Sequence, residues 1–308
     1  MHGLLRSLAE FRPLREPILI AGFADHAGTT AASAVSYLVE RWDAQLVAET
    51  DPDELFDFTV RRPVVRTENG KRVLHWPTSQ LFVASPPGAA RDVVLLVGVE
   101  PHLRWRAFCD AIVSFMHEVG ATASLTLGSY PAPTPHTRPV PTRLSAVDEA
   151  FGRTFGLEPT ISTYEGPTGI VGVLNANLGA KRFRTASLST MTPFYVGTEQ
   201  YPRAMIALIE AIDRGLGTST PLAILREQAA TLDRQTEEAV GQSEPLSAVV
   251  QSLEERFDGI RGSTPTLLAP RQAASDLPSS DQVIAGLEQF LREQRGPGGA
   301  GSSEQASL

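Results

Sequence analysis

Cysteine and lysine are scarce in this 308-residue sequence, and the scarcity of cysteine excludes some kinds of site. Cys109 is the single cysteine, so neither an internal disulfide nor a cysteine-based zinc site can form. It lies within a helical apolar pattern, which predicts that it behaves as a small buried hydrophobic residue. Lys71 and Lys181 are the only lysines, and we interpret this as the composition of a GC-rich genome rather than as a recognition device.

Long apolar runs and excess positive charge are also missing. No uninterrupted run approaches the ~20 apolar residues that span a bilayer. The first residues are interrupted by Arg6, Glu10 and Arg12, so they contain no apolar core of a signal peptide. The net charge of −8 argues against nucleic acid, because phosphate binding requires a basic face. We therefore expect a cytoplasmic protein with neither a membrane nor a nucleic acid as its partner.

Several catalytic and cofactor motifs are absent as well. There is no G-x-S-x-G nucleophile elbow, and the six histidines form no H-x-x-x-H pair, so we expect no metal site. The turn from Gly22 to Thr30 lacks the lysine of a phosphate-binding P-loop, since Thr29 occupies that position. Its glycines are also wrongly spaced for a dinucleotide fingerprint. We expect no cofactor.

The patterns that are present indicate an α/β fold. An apolar strand at 17–22, a helix over 30–42 and a strand at 45–49 form a βαβ unit, which predicts parallel pairing. Asn69-Gly70 between two extended runs predicts a hairpin, and we expect this antiparallel insert to extend one edge of the sheet. Strand 93–97, helix 103–119 and strand 122–127 form a second βαβ unit. After it come a helix over 145–155, an apolar segment at 170–178, a strand at 184–189 and a helix over 201–216 closed by Gly217.

This order of elements predicts four parts of the chain. Residues 1–16 are an N-terminal extension, and 17–217 are the α/β core. Two helices joined by a short break near Gly241 form a helical hairpin over 218–260. Residues 261–308 are rich in Ser, Pro, Gly and Ala and are predicted to be a mobile tail, in which 281–294 could form a short amphipathic helix.

Two polar loops follow predicted strands, where open α/β sheets place their ligands. Asp25, His26 and Thr29 lie in the first loop, which is either a capped turn or an anion site at a helix N-terminus. Glu100, His102 and Arg104 lie in the second. Glu100 and His102 are a candidate acid/base pair, and the alternative is that Glu100 caps the next helix while Arg104 stays solvated.

Two further segments complete the candidate cleft or interface. Tyr130, His136 and Arg138 lie in the loop 128–142, which contains five prolines. A stiff polar loop suits a binding surface or an oligomer contact, and the alternative is a plain connector. Glu165, Thr168 and Gly169 lie in a loop whose glycines allow either close backbone approach or a simple turn. No residue is assigned as catalytic.

The order of these motifs resembles the PAC2 family, the group named after proteasome assembly chaperone 2, in the long form found in actinobacteria. The resemblance covers roughly residues 17–217 and depends on the order and spacing of several short motifs. These are Gly22-Phe23 with Gly28, Val99-Glu100-Pro101, Leu127-Gly128-Ser129-Tyr130, His136-Thr137-Arg138-Pro139, Gly166-Pro167-Thr168-Gly169-Ile170, Thr192-Pro193-Phe194-Tyr195 and Tyr201-Pro202-Arg203-Ala204.

The resemblance implies a three-layer αβα sandwich of the phosphorylase/hydrolase-like type with a largely parallel sheet. It also implies homo-oligomers, trimers among them. Family members that act as chaperones bind the proteasome α-ring through a C-terminal hydrophobic–Tyr–any-residue motif. This sequence ends Gln305-Ala306-Ser307-Leu308 and lacks that tyrosine, so docking on proteasome subunits by that route is not expected.

Three hypotheses about function follow. The first is a non-enzymatic, homo-oligomeric chaperone or scaffold. The second is a small-molecule binder or an enzyme, hydrolase- or phosphorylase-like, that uses the cleft at the strand carboxyl ends. The third makes the helical hairpin an interaction arm on an inert core. We favour the first, by analogy with the family.

Overall fold

A nine-stranded sheet forms the middle layer of the structure, a computed structural model that describes residues 3–261. The strands run in the order β1-β3-β6-β7-β2-β8-β11-β9-β10, and a separate two-stranded ribbon consists of β4 and β5. The strands are β1 (Leu5–Ser7), β2 (Ile18–Ala24), β3 (Gln45–Thr50), β4 (Val64–Glu68), β5 (Lys71–His75), β6 (Ser79–Ala84), β7 (Val93–Val99), β8 (Ala123–Ala132), β9 (Thr142–Ala146), β10 (Pro159–Thr160) and β11 (Arg184–Pro193).

The four central strands, β7, β2, β8 and β11, are parallel. All seven residues of β2 are buried, as expected for a strand covered on both faces. In the register, Ile18 lies opposite Val93 on one side and Ala123 on the other. Antiparallel strands flank this centre: β6, β3 and β1 on one side and β9 on the other. The carboxyl ends of the four parallel strands therefore share one edge of the sheet.

Helices cover both faces of the sheet, which confirms the three-layer αβα architecture. α1, α4, α6 and α7 contribute to the core on one face, and α2, α3 and α5 to the core on the other. The helix α8 packs beside Tyr195 in a smaller cluster. The helices are α1 (Thr30–Arg41), α2 (Pro52–Leu55), α3 (Trp105–Glu118), α4 (Glu149–Arg153), α5 (Ile170–Ala180), α6 (Pro202–Leu216), α7 (Ala223–Gly241) and α8 (Glu244–Arg261). None of these helices is long and apolar enough to cross a bilayer.

Local signals account for several of the helix ends. Pro52 and Pro202 occupy the first turns of α2 and α6, where a missing N–H costs nothing. The Asp51 side chain accepts a hydrogen bond from the Asp53 amide, which caps α2. Gly217 ends α6 in the left-handed conformation at φ 71°, as the sequence predicts.

The strands of both predicted βαβ units run parallel, as expected, but the prediction that they pair with each other is wrong. β2 and β3 do not pair, because β7 and β6 lie between them, and β2 itself lies between β7 and β8. The ribbon prediction is also wrong in part. β6 joins the main sheet between β3 and β7, whereas β4 and β5 pair only with each other among the described residues. Local periodicity identifies strands but does not specify which strands become neighbours.

Two predictions around residue 145 also need correction. Residues 142–146 form the strand β9, and the helix begins only at Glu149, where the Asp148 side chain accepts a hydrogen bond from the Phe151 amide. The Pro-rich loop is shorter than predicted, because β8 continues to Ala132 as the parallel neighbour of β11. The prolines at 131 and 193 thus lie within the ends of strands.

The N-terminal segment packs on the core through the buried Asp92. Its carboxylate accepts a hydrogen bond from the Arg15 amide at 2.7 Å and lies 3.1 Å from the Arg12 guanidinium. Burial by itself raises the pKa of Asp92, but the bonds from Arg15, Ser85 and Arg12 outweigh it and leave this pKa lowered. The strand β1 within this segment was not predicted. The tail at 262–308, including the helix predicted for 281–294, lies outside the described residues.

Candidate functional site

The carboxylate of Glu100 holds the first turn of α5. Glu100 follows β7, and its Oε1 accepts a hydrogen bond from the Ile170 amide at 2.6 Å. A Cβ on Gly169 would lie 2.8 Å from this Oε1, so glycine is the residue that lets the carboxylate reach the helix. A carboxylate at this position also interacts favourably with the helix dipole. Glu100 is therefore a helix cap, but of α5 and not of the adjacent α3.

His102 and Arg104 have other partners. The Asp57 amide donates a hydrogen bond to His102 Nδ1 at 3.1 Å, and the imidazole packs edge-on against Phe56 at 5.6 Å. Arg104 forms an ion pair with Glu54 on α2. Glu100 and His102 thus point to different parts of the fold, so they are not hydrogen-bonded to each other as an acid/base pair would be.

The loop at 25–29 packs against the segment before α6. The Thr29 amide donates a hydrogen bond to the carbonyl oxygen of Glu199 at 2.8 Å, and the Thr29 hydroxyl donates to the same oxygen at 3.1 Å. Asp25 turns back on its own loop, where its Oδ1 accepts a hydrogen bond from the Ala27 amide. His26 is exposed. A backbone carbonyl therefore occupies the amide of Thr29 that an anion at this helix N-terminus would use.

His136 is buried against Tyr195. The Tyr195 hydroxyl accepts a hydrogen bond from the His136 amide at 2.8 Å and forms a second hydrogen bond with His136 Nδ1 at 2.7 Å. Burial lowers the pKa of the imidazole, and the carboxylates of Asp233 and Glu237 only partly offset that effect. Burial likewise raises the pKa of Tyr195. Both groups are thus neutral near pH 7, and neither reaches solvent freely.

Arg138 connects the Pro-rich loop to α8. Its guanidinium donates to Asp258 at 2.9 and 2.6 Å and to Glu254 at 3.1 Å. On the other side of the loop, Arg203 at the start of α6 donates to the His136 carbonyl and forms a 2.9 Å ion pair with Asp233 on α7. The loop is therefore held between the core and the helical hairpin.

The remaining candidate residues are exposed or serve as turns. The side chains of Tyr130, Glu165 and Thr168 face solvent, and Gly169 lies at the start of α5. Cys109 is buried, and desolvation raises the pKa of its thiol to about 12, so it is not a nucleophile. Within residues 3–261, no three His, Cys, Asp or Glu side chains come together as a metal site.

The short motifs of the sequence contact one another in pairs. Glu100 meets the loop at 166–170, while His136 meets Tyr195 and Arg203. The loop at 25–29 meets Glu199, just before Tyr201. Tyr195, Glu199 and Arg203 were not singled out as site residues. Their only sequence signal is that two of them belong to the motifs at 192–195 and 201–204.

Comparisons with known proteins support the family resemblance that these motifs indicate. A model of the PAC2 family matches residues 19–240. A comparison with curated protein sequences gives no match. The solved structure of a PAC2 family protein from Streptomyces avermitilis is 36% identical, has a TM-score of 0.67, and covers 76% of this chain and 99% of its own.

Two other solved structures carry names that mention the proteasome. A proteasome-assembly chaperone homologue from Mycobacterium tuberculosis is 38% identical with a TM-score of 0.65, covering 76% of this chain and 99% of its own. An archaeal proteasome activator from Pyrococcus furiosus is 18% identical with a TM-score of 0.61, covering 78% of this chain and 99% of its own. At that identity, the second likeness concerns the fold alone.

Proposed function

Because this chain belongs to the PAC2 family, we propose that it is a non-enzymatic, homo-oligomeric chaperone or scaffold related to the proteasome assembly chaperones. The name of the mycobacterial relative, a proteasome-assembly chaperone homologue, supports a proteasome-related partner. The contacts of the polar candidate residues support a binding role over a catalytic one. Glu100, Thr29 and His136 are each hydrogen-bonded to other groups of the protein and not to one another, so they do not form a proton-transfer pair.

The observation that carries this proposal is the ribbon of β4 and β5. All of its residues are exposed except Val73, which is half-buried. Val65 and Leu74 lie directly opposite each other and are 45% and 53% exposed. An isolated two-stranded ribbon is marginally stable in water at best, and an aliphatic pair on its surface gains stability when another surface covers it.

The charge of the ribbon and of the residues just before it favours one surface of the protein as its partner. Residues 61–75 carry five basic side chains and one acidic side chain in a protein of net charge −8. The hairpin of α7 and α8 has the opposite character. Among the hairpin residues whose side chains the structure describes (223–259), the exposed acidic residues include Glu227, Glu237, Glu238, Glu244 and Glu255, against two exposed arginines, Arg226 and Arg234.

We therefore assign the ribbon of one copy to the α7–α8 surface of a second copy. The two patches differ, so the contact is heterologous, and repeating it around a closed rotation generates a ring. Complementary charge also accelerates and orients such an encounter. This arrangement leaves the carboxyl edge of the sheet as a scaffold surface in each copy.

Light scattering on the full chain tests this assembly. Arg66→Glu with Arg72→Glu should lower the measured mass toward that of a monomer, because the ribbon then repels the acidic helices. Adding Glu237→Lys and Glu238→Lys to the same chain should restore the mass. Lys181→Glu, an exposed basic residue far from the ribbon in sequence, is the matched control and should change nothing.

A wild-type chain that scatters as a monomer contradicts the homo-oligomer, and an unchanged mass in the ribbon variant contradicts the assigned contact. The partner is tested separately by native mass spectrometry with purified proteasome α- and β-subunits. A complex supports the chaperone assignment, and the absence of any complex contradicts it without affecting the assembly result.

A further inference from the structure

A cavity of about 370 Å³ opens at the amino ends of the strands, away from every residue discussed above as a candidate site. It lies where β2 and β11 begin, between the loop before β7, the helix α4 and the end of α6. Its volume falls within the range of pockets that hold small ligands. The side chains that line the cavity include Arg91, Arg184, Ile18, Phe151, Phe155 and Leu216.

Two arginines face this cavity with little compensation. The Arg91 side chain is only 20% exposed, and its ion pair, at 4.0 Å, is with Glu16, a carboxylate that is 82% exposed. Arg184 has no ion pair with any of the described residues. Burial and the nearby Arg184 together lower the pKa of Arg91, so the two cations repel each other here. A site with two adjacent cations attracts an anion.

The nearby acidic side chains only partly neutralise this pair. Asp148 lines the cavity, where its carboxylate caps α4 by accepting the Phe151 amide and offsets one of the two positive charges. Glu16 is the other carboxylate that acts on Arg91, and at its distance and exposure it is weakly coupled to the guanidinium. The cavity therefore keeps a net positive character.

Part of the wall beside the arginines is apolar and fixed in place. The Arg184 guanidinium lies over the Phe151 ring at 5.3 Å, which orients it along the wall. The Phe155 ring packs so closely on α6 that a Cβ on Gly215 would lie 2.3 Å from it. The Arg214 side chain also donates to the Phe155 carbonyl at 3.1 Å. A ligand here meets the narrow exposed edges of Phe151 and Leu216, each 6% exposed, beside two guanidinium groups.

We propose that this cavity binds a small organic oxyanion, a carboxylate or a phosphate monoester attached to an apolar group. Arg91 and Arg184 hold the oxyanion, because guanidinium groups match the geometry of carboxylate and phosphate oxygens. The apolar group lies against the exposed edges of Phe151 and Leu216. The site is independent of the assembly proposed above, and no catalytic step is assigned to it.

Isothermal titration calorimetry of the full chain with phenyl phosphate, benzoate and inorganic phosphate tests the proposal. We expect at least one of the two aromatic anions to bind more tightly than inorganic phosphate, which has no apolar group. Arg184→Gln should weaken that binding about tenfold, the effect of losing a hydrogen bond to a charged group. Lys181→Gln removes the same charge from an exposed site and should leave binding unchanged.

The anion-free melting temperature is a second readout. Arg184→Gln removes the repulsion on Arg91, so it should melt at or above the temperature of the wild type at low salt. Arg91→Gln provides the same binding test should the first variant fail to fold. Binding of neither aromatic anion to the wild type overturns the proposal, as does unchanged binding in the folded arginine variant.

Discussion

Glu100 and Ile170, seventy positions apart in the chain, are joined by a 2.6 Å hydrogen bond from the Ile170 amide to the Glu100 carboxylate. The bond connects the end of a central strand to the start of the helix α5 on the adjacent face. A carboxylate at this position satisfies an amide that the helix itself leaves without a partner. Glu100, one member of the candidate acid/base pair of the sequence, thus serves to position a helix.

Removing this cap should destabilise the protein measurably. We expect Glu100→Ala to lower the free energy of unfolding by about 1–2 kcal/mol, the usual cost of losing an N-terminal cap. Glu100→Gln retains an acceptor and should cost less. Urea unfolding measures both, and Glu165→Ala is the control because that carboxylate is exposed. Equal stability of Glu100→Ala and the wild type would contradict the assignment.

Gly169→Ala tests the same bond from the other side. The new Cβ would lie 2.8 Å from Glu100 Oε1 and push the carboxylate away from the Ile170 amide. In the wild-type background, Gly169→Ala should therefore lower the free energy of unfolding about as much as Glu100→Ala does. In a chain that already carries Glu100→Ala, the further loss should be close to zero. Additive losses in the double variant would show that the two residues act separately.

The burial of His136 predicts a pH dependence of stability. Its pKa is lowered in the folded state from about 6.5, so the unfolded chain binds the proton more readily. Stability should fall as the pH drops below about 7.5, through the unfolded value near 6.5 and toward the lowered folded value. Asp233, Glu237 and Glu254 oppose this trend, and Arg203 reinforces it. The urea midpoint as a function of pH measures the net effect.

His136→Gln should flatten this pH profile whatever its cost in absolute stability, whereas His26→Gln, at an exposed position, should not. Tyr195→Phe removes both hydrogen bonds to His136, the one from its amide and the one with its Nδ1. It should lower the free energy of unfolding by about 1–3 kcal/mol, since buried polar groups lose their partners. If the urea midpoint of His136→Gln depends on pH as steeply as that of the wild type, then a group other than His136 is responsible for the pH dependence.

The hairpin of α7 and α8 should be held mainly by apolar packing. Leu253 is 1% exposed in the cluster with Tyr195, Val249 and Val250. We expect Leu253→Ala to lower the free energy of unfolding by about 2–4 kcal/mol and to increase amide exchange along α8. Arg138→Lys loses the two-pronged contact with Asp258 and should have a smaller effect that shrinks at high salt. The reverse order of effects, measured by hydrogen exchange, would contradict this account.

Asp92 should anchor the N-terminal segment in its charged form. Asp92→Asn should lower the free energy of unfolding by about 2 kcal/mol, less than for a fully buried ion pair because Arg12 and Arg15 are more than half exposed. The lowered pKa of Asp92 stabilises the fold above the unfolded value near 3.8, and this contribution is lost as the pH falls through the lowered value. An acid-unfolding curve of Asp92→Asn identical to that of the wild type would exclude the anchor.

The extent of sequence-based prediction differs between elements. The bounds of α6 follow from Pro202 and Gly217, and β2 follows from its apolar run, because these signals are local. Ser145 shows the limit of such signals. It precedes Asp148-Glu149, which suit a helix start, yet pairing with β11 places it in the strand β9. Here the tertiary pairing overrides the local preference.

The sequence by itself determined the class of fold, the buried strands, the helix faces and the order of the short motifs, because each depends on composition and periodicity within a few residues. Only the tertiary structure decided which motif meets which. The strand order and the crossovers bring Glu100 to Ile170, His136 to Tyr195 and Thr29 to Glu199, and no local pattern contains that information. The same folding leaves the ribbon of β4 and β5 outside the sheet, and it brings Arg91 and Arg184 together at the amino ends of the strands.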